Sequence, residues 1–207
     1  MKITALTVNY NTPDFLERLL FSFRKFYDLP FIVVDGSDEF NYSLISGFTN
    51  RFKVQIHHFP YNIHHGPGMA YAFKTIKSDQ ILLLDSDLIV LKPGFVEDLH
   101  SKIKPESYGI GDVQNVNEDG FNVSRGIKYL HPACALINRE VALKFPLPIL
   151  HGAPMIETMI AIWRQKMNIL QHEPWVTNDF RNPDKIFIQH DWHGTVDRTG
   201  GYQVPKK

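Results

Sequence analysis

The sequence predicts an α/β fold in which a mostly parallel sheet lies between two layers of helices. Three observations support this prediction: strands alternate with helices over the first half of the chain, the strand segments are apolar on both faces, and strong strands end in Asn9, Asp35 and Asp85. Such strands are typical of parallel sheets that helices cover on both sides. Because ligands in these sheets collect beyond the carboxyl ends of the strands, the functional site is expected at that edge.

The first half of the chain has the more regular pattern. Strands are predicted at residues 3–8, 31–34, 53–58 and 80–84, with a helix at 68–77. Another helix is predicted after Thr12 and Pro13, since these residues supply an N-cap and a proline at the first helical position. Its apolar side chains recur with the helical period, at Phe15, Leu16, Leu19, Leu20, Phe23 and Phe26.

The second half is predicted to be less regular. Helices are expected at 93–103 and 154–166, and extended segments at 108–113, 129–137 and 185–189. Pro132 has no N–H to donate, so it places its strand near a sheet edge or a bulge. The segment 115–128 is polar and contains glycine, which favours a loop. With 207 residues, 43% of them hydrophobic, the chain is expected to form a single domain.

Composition argues against several classes of protein. The 22 basic and 22 acidic residues cancel, and no basic cluster is large enough to favour a nucleic acid partner. A single cysteine, Cys134, excludes an internal disulfide, and its apolar neighbours favour a buried thiol over a nucleophile. The chain shows neither a signal peptide nor an apolar run near the ~20 residues that span a bilayer. A cytoplasmic protein is predicted, and peripheral visits to a membrane are compatible with this.

Asp85, Ser86 and Asp87 follow an aliphatic strand and form the main candidate for a chemical site. Carboxylates two residues apart point the same way if strand geometry persists. They then repel each other unless a cation, a set of hydrogen-bond donors or a shared proton compensates. A divalent metal is the economical explanation. The alternative is an ordinary acidic turn around Ser86.

Four segments in this order resemble the successive motifs of family 2 glycosyltransferases with the GT-A fold. They are Val8-Asn9-Tyr10-Asn11, Ile32-Val33-Val34-Asp35-Gly36-Ser37, Asn62 with Gly66-Pro67-Gly68-Met69-Ala70, and Ile81-Leu82-Leu83-Leu84-Asp85-Ser86-Asp87. The resemblance implies a GT-A type three-layer α/β/α sandwich whose mostly parallel, Rossmann-like sheet is followed by an irregular acceptor-binding half. Residues 1–207 would form one glycosyltransferase domain, with a nucleotide-sugar-binding half at 1–92 and an acceptor-binding half at 93–207.

The resemblance also implies an activity and its ligands. The reaction would be a metal-dependent, inverting transfer of a sugar from a nucleotide-diphosphate-sugar, with a UDP-sugar favoured, to a hydroxyl of a glycan or glycolipid. Asp87 resembles the direct ligand of Mn²⁺ or Mg²⁺, and Asp85 the partner that contacts the ribose or metal-bound water. Asp35 resembles the acid that accepts a hydrogen bond from the nucleotide base. The implied nucleotide-sugar-binding residues are Val8, Asn9, Tyr10, Asp35, Gly66, Gly68, Asp85 and Ser86.

Gly66 and Gly68 have two interpretations at this stage. Glycines allow a backbone to approach a ligand, and the N-terminus of the following helix is suited to a phosphate or a sugar. The other interpretation is a glycine-rich turn beside two surface histidines, His64 and His65.

Candidate residues in the second half complete the expected mechanism. Glu157 stands where the family places a catalytic base, although Thr158 replaces the second acid of the usual pair. A carboxylate there would remove the proton of the acceptor hydroxyl. The resemblance also implies a late histidine near a glycine as a third metal ligand beside Asp85 and Asp87. His190 is chosen over His193 because it stands at the end of a predicted strand, and imidazole is accepted among oxygen donors. Further candidates for the acceptor side are His151, His193 and Trp192.

Two alternatives to glycosyl transfer remain open on the sequence. An acidic triplet after an aliphatic strand also resembles the nucleophile motif of haloacid-dehalogenase-like phosphotransferases. That family has threonine or valine at the position of Ile89 and normally places the motif on its first strand, whereas three elements precede the motif here. The other is a noncatalytic sugar-binding domain with the same fold, which the missing acid at Thr158 supports.

Overall fold

The computed structural model describes residues 2–166, 172–174 and 186–191. The first half begins with β1 (Ile3–Asn9), α1 (Pro13–Arg24) and β2 (Phe31–Asp35). Two short helices, α2 (Glu39–Ile45) and α3 (Phe48–Phe52), precede β3 (Gln55–His58). The helix α4 (His65–Thr75) then leads into β4 (Gln80–Leu84). The four predicted strands are confirmed, whereas α2 and α3 lie in a segment without a sequence prediction.

The second half contains β5 (Leu88–Val90), α5 (Phe95–Lys102), β6 (Gly109–Val116) and β7 (Ile127–Asn138). They are followed by α6 (Arg139–Ala142), α7 (Ile156–Arg164), β8 (Glu173–Pro174) and β9 (Ile188–His190). The loop predicted at 115–128 is shorter than expected. Both of its ends belong to β6 and β7, which pair as a hairpin as far as Val116 and Ile127.

The main sheet has the strand order β3-β2-β1-β4-β7-β6-β8. β1 pairs in parallel with β2 and β4, β2 with β3, and β6 with β8. β7 is antiparallel to both of its neighbours, β4 and β6. The prediction of a mostly parallel sheet is therefore confirmed.

Pro132 lies at a bulge, which is one of the two placements expected for it, and it belongs to no regular pair with β4 or β6. β7 has partners on both sides, and its register against β6 shifts between Gly111 and Val113, opposite the segment that contains Pro132. The bulge accommodates the missing N–H because regular pairing is interrupted there.

Two apolar clusters lie on opposite faces of the sheet. One joins α1, α2, α3 and α5 to strand residues such as Ala5 and Leu82, and the other joins α4, α6 and α7 to their neighbours Leu6 and Leu83. Adjacent strand residues thus point into different clusters, as strand geometry requires. This arrangement is the predicted three-layer α/β/α sandwich, and it leaves the carboxyl edge of the parallel strands free for a site.

Candidate active site and metal centre

Asn9, Asp35 and His58 end three neighbouring parallel strands and lie side by side in register. The Asp35 carboxylate is fully buried. Its Oδ1 accepts from Asn9 Nδ2 at 2.8 Å and Ser37 Oγ at 2.7 Å, and its Oδ2 accepts from His58 Nδ1 at 2.8 Å and the Ser37 N–H at 3.2 Å. A buried carboxylate requires such donors, and here all of them come from the strand ends and the loop after β2.

The loops after β1 and β2 are joined by hydrogen bonds around Asn11. This residue has a φ of +52°, in the left-handed region that asparagine tolerates well. Its N–H donates to Ser37 Oγ at 2.9 Å, and its Oδ1 accepts from the Asp38 N–H at 3.0 Å. Thr12 occupies the predicted N-cap position of α1, but its hydroxyl donates to Asn9 Oδ1 at 2.8 Å instead of capping the helix. Half-buried Tyr10 lies within this cross-linked pair of loops.

Asp85 and Asp87 lie in a tight turn between β4 and β5. The Asp85 N–H donates to the Ala133 carbonyl at 2.9 Å, and the Leu88 N–H closes the turn on the Asp85 carbonyl at 3.2 Å. Both carboxyl groups are at the carboxyl edge of the sheet, beside the end of β1. The Asp85 side chain is 23% exposed and that of Asp87 only 8%. Ser86 between them is also buried.

His190 reaches this turn because β9 pairs with β5. The pairing is antiparallel and places Leu88 opposite His190. His190 Nε2 then lies 3.1 Å from Asp87 Oδ1 and 3.6 Å from Asp85 Oδ2. Burial lowers the pKa of His190, but the hydrogen bond to Asp87 and the charges of both aspartates outweigh it, so that the pKa is raised overall.

Asp85, Asp87 and His190 fit a divalent cation. One ligand atom from each of the three lies within 4.8 Å of the others. Carboxylate oxygens with one imidazole suit Mn²⁺, and carboxylate oxygens alone would suit Mg²⁺. Two acids packed with a buried imidazole form a site whose charges a cation would balance. The structure therefore brings together the three residues that were predicted to bind metal.

Two further histidines adjoin the metal group and were missed in the sequence analysis. His65, at the start of α4, has Nε2 3.6 Å from Asp85 Oδ1, on the carboxylate oxygen opposite His190. The His131 ring centroid lies 6.4 Å from that of His190. Burial lowers the pKa of His131, with the charge of Asp85 opposing this in part. Neither residue is close to Asp85 in sequence. Their proximity follows from the packing of α4, which begins with His65, and of the β6–β7 hairpin, which contains His131.

Gly66 and Gly68 lie inside the first turns of α4, which begins three residues earlier than predicted. A Cβ on Gly66 would lie 2.4 Å from the Leu150 carbonyl oxygen, and one on Gly68 would lie 2.8 Å from Val8 Cγ1. Protein atoms fill the space that a side chain would need at both positions, so packing alone already requires glycine there. The two glycines allow α4 to pack against the 149–150 loop and β1. Binding of a donor by their backbone remains a prediction.

Glu157 lies in the first turn of α7 with its side chain exposed. Its neighbour Thr158 is fully buried, and the Thr158 hydroxyl donates to the Pro146 carbonyl at 2.6 Å. The residue that replaces the second acid therefore faces the protein interior. His151 precedes this helix and its ring lies 5.8 Å from that of His64. The candidates Trp192 and His193 lie outside the described residues.

A sequence profile of glycosyl transferase family 2 matches residues 4–161, which is more than half of the chain. The chain belongs to this family. None of the curated proteins matches it significantly in sequence.

Several solved glycosyltransferases are similar in fold. One is the mannosyltransferase PcManGT from Pyrobaculum calidifontis in complex with GDP-Man and Mn²⁺, with 14% identity, a TM-score of 0.64, and coverage of 84% of this chain and 55% of the other. Another is S. aureus TarS 1-349 in complex with UDP-GlcNAc, with 16% identity, a TM-score of 0.57, and coverage of 86% and 59%. GalNAc-T7 with UDP, GalNAc and Mn²⁺ gives 13% identity, a TM-score of 0.57, and coverage of 79% and 40%. The chain thus spans about half the length of these structures.

Proposed function

We propose that the protein transfers a sugar from a nucleotide-diphosphate-sugar to a hydroxyl of a glycan or glycolipid, in a metal-dependent and inverting reaction. The observation that carries this proposal is the group of Asp85, Asp87 and His190 at the same sheet edge as Asn9 and Asp35. Family membership favours glycosyl transfer over the phosphotransferase alternative. Residues 1–92 would supply most of the donor site, and residues 93–207 the acceptor side.

The donor would lie across the carboxyl ends of β1, β2 and β4. Its nucleoside would contact Val8, Asn9 and Tyr10, and its diphosphate would lie toward Ser86 and the metal group. The solved relatives contain GDP-Man or UDP-sugar ligands in the same type of fold, which supports a nucleotide-sugar, and a UDP-sugar is favoured here.

Asp85, Asp87 and His190 would hold Mn²⁺ or Mg²⁺. The ion, when bound, supplies Lewis-acid stabilisation of the charge that develops on the leaving diphosphate. Mn²⁺ in two of the solved relatives supports its use. Asp87 and His190 are largely buried, so their positions are set by packing before any ligand binds.

Among the described residues, no helix is long and apolar enough to cross a membrane.

Glu157 is proposed as the base that removes the acceptor proton. It is the carboxylate that the first turn of α7 leaves exposed, whereas Thr158 is enclosed. Inversion needs one such carboxylate positioned against the acceptor oxygen. His151, and Trp192 and His193 from outside the described part of the chain, are proposed to contribute to the acceptor side.

Thermal shift with UDP and GDP, with and without Mn²⁺, tests donor binding, because a ligand of the folded state raises its apparent stability. We expect a clear rise only when nucleotide and metal are both present. Asp87→Asn should abolish the metal-dependent part of this rise. Asp119→Asn, an exposed acid in the β6–β7 loop, is the matched control and should behave like the unmodified protein. An equal rise in excess chelator would disprove the metal role.

Glu157→Gln separates catalysis from binding. The nucleotide-dependent thermal shift should persist, and transfer from a radiolabelled donor should fall by at least ~100-fold, the contribution typical of a general base. Unchanged transfer would remove Glu157 as the base. A protein that binds donor but transfers nothing even when unmodified would support the noncatalytic sugar-binding alternative.

A further inference from the structure

The candidate metal ligands Asp87 and His190 are held by the small β5–β9 sheet outside the main sheet. Asp87 directly precedes β5, and His190 is the last residue of β9. Three residue pairs join the two strands, and about a hundred residues of chain separate them. Two strands paired alone are marginally stable at best. Contacts from outside this pair therefore contribute to the position of His190 relative to Asp87.

The helix α1 contacts both strands of this sheet from successive turns. The Ser22 hydroxyl accepts a hydrogen bond from the Val90 N–H at 3.0 Å and donates to the Leu19 carbonyl at 3.0 Å. One turn earlier, Arg18 Nη2 lies 2.5 Å from Asp191 Oδ2. Residues four apart in a helix lie on the same face. α1 thus holds β5 through Ser22 and the end of β9 through Arg18.

Asp191 joins this ion pair to the metal group through the backbone. It directly follows His190 in the chain, and its N–H donates to the Asp87 carbonyl at 3.3 Å. Gln189 Nε2 donates to the second carboxylate oxygen, Asp191 Oδ1, at 3.3 Å. The Asp191 side chain is 25% exposed and that of Arg18 is 43% exposed. The pair lies at the surface, so Arg18 can be replaced without opening the core.

We propose that Arg18 is a positioning residue for the metal centre and that it acts on His190 through Asp191. This inference rests on the proposed metal-binding role of His190 and the two acids. Before a metal binds, the ion pair keeps the end of β9 against β5, so that the imidazole already faces Asp87. Without the pair, the apparent metal affinity is reduced in proportion to the fraction of protein that is still competent to bind.

The direction of the effect separates positioning from simple charge repulsion. Arg18 is a cation near a site for a cation, so Coulomb's law alone predicts that its removal strengthens Mn²⁺ binding. Its removal would also leave the negative charge of Asp191 without its partner, which acts in the same direction. Loss of positioning predicts a weaker affinity. The two explanations therefore give results of opposite sign.

Titration with Mn²⁺ alone, followed by the electron paramagnetic resonance signal of the free ion, measures this affinity. Arg18→Met keeps an unbranched side chain and removes the charge. We expect it to weaken Mn²⁺ binding about fivefold, the upper range for one exposed ion pair. In Asp191→Asn, where the pair is already broken, adding Arg18→Met should not weaken binding further. An unchanged or higher affinity in Arg18→Met would overturn the inference, as would an equal loss in the Asp191→Asn background.

Arg51→Met is the matched control. Arg51 forms an exposed ion pair with Glu17, the residue beside Arg18 on α1. Each arginine also lies 4.8 Å from the centroid of a phenylalanine ring, Phe15 for Arg18 and Phe52 for Arg51. The control thus removes the same kinds of contact from the same helix, but its partner is not on β9. Arg51→Met should bind Mn²⁺ like the unmodified protein. An equal loss of affinity in both variants would attribute the effect to α1 in general and overturn the role of Arg18.

Asp87→Asn distinguishes this inference from the function on which it rests. If Asp87→Asn abolishes Mn²⁺ binding and Arg18→Met leaves it intact, the metal centre stands and the role of Arg18 is overturned. If the unmodified protein binds no Mn²⁺, the metal-dependent function and the role of Arg18 are both overturned.

Discussion

Gly66→Ala is predicted to destabilise the protein by disturbing the contact between α4 and the 149–150 loop. A Cβ at this position would lie 2.4 Å from the Leu150 carbonyl oxygen, 2.6 Å from the Leu150 nitrogen and 2.7 Å from the Ile149 carbonyl carbon. All three are backbone atoms, so no side-chain rotation can relieve the overlap. The same movement would stretch the 2.9 Å hydrogen bond from the Gly66 N–H to the Leu150 carbonyl.

The magnitude follows from three contributions. Overpacking costs about 1–3 kcal/mol, and the weakened hydrogen bond adds about 1 kcal/mol. The higher helix propensity of alanine offsets about 1 kcal/mol. The free energy of unfolding should therefore fall by roughly 1–3 kcal/mol, which for a chain of this size lowers Tm by about 2–12 °C.

Gly47→Ala is the matched control for this change. Nothing lies within 4 Å of a Cβ built on Gly47, and its φ of −68° suits alanine. Its Tm should stay constant or rise slightly, because alanine reduces the entropy of the unfolded chain. Urea denaturation and differential scanning fluorimetry of both variants measure the difference. Equal stability of Gly66→Ala and Gly47→Ala would refute the argument that the packed backbone requires glycine at position 66.

Three other predictions concern the interior and the metal group. Thr158→Val, which removes the hydrogen bond to the Pro146 carbonyl, should cost about 1 kcal/mol in urea denaturation; an unchanged midpoint would show that this bond is dispensable. Burial raises the pKa of the Cys134 thiol, with Asp85 adding to the effect, so Ellman's reagent should react only as fast as the protein unfolds; rapid labelling of folded protein would contradict this. The pKa of His190 is raised above 6.5, and only the deprotonated imidazole can bind a metal, so Mn²⁺ affinity measured by calorimetry should increase as the pH rises through that pKa. Over the same range the metal-free protein should lose stability, because the favourable contacts of the protonated ring are lost. A pH-independent Mn²⁺ affinity would argue against His190 as a ligand.

The donor half of the fold could be predicted because its signals are local. Apolar runs ended by Asn9, Asp35 and Asp85 identify strands and the edge at which they finish, and each strand is present. The helix α4 shows the limit of such signals. Its glycines suggested a loop before residue 68, but contacts with Leu150 and Val8 favour helix from His65. Tertiary packing outweighs intrinsic helix propensity at these two positions.

The metal group was predictable in part. Asp85 and Asp87 share a turn, so their proximity follows from sequence spacing, whereas His190 was chosen by analogy with the family. Its actual contact depends on the pairing of β5 with β9, between segments about a hundred residues apart. Such long-range pairing is determined by the packing of the whole chain and leaves no periodic signal in the sequence.

The position of Asp35 could be predicted from the sequence, whereas its contacts could be seen only in the tertiary structure. The sequence was sufficient to place an acidic group at the end of β2, in a sheet whose carboxyl edge binds ligands. The number of donors that reach this carboxylate depends on Asn9 and His58, which approach it from two other strands. The hydrogen bonds that this carboxylate accepts come from residues that only folding brings together. Only the assembled sheet could therefore show that Asp35 is enclosed and that His58 contacts it.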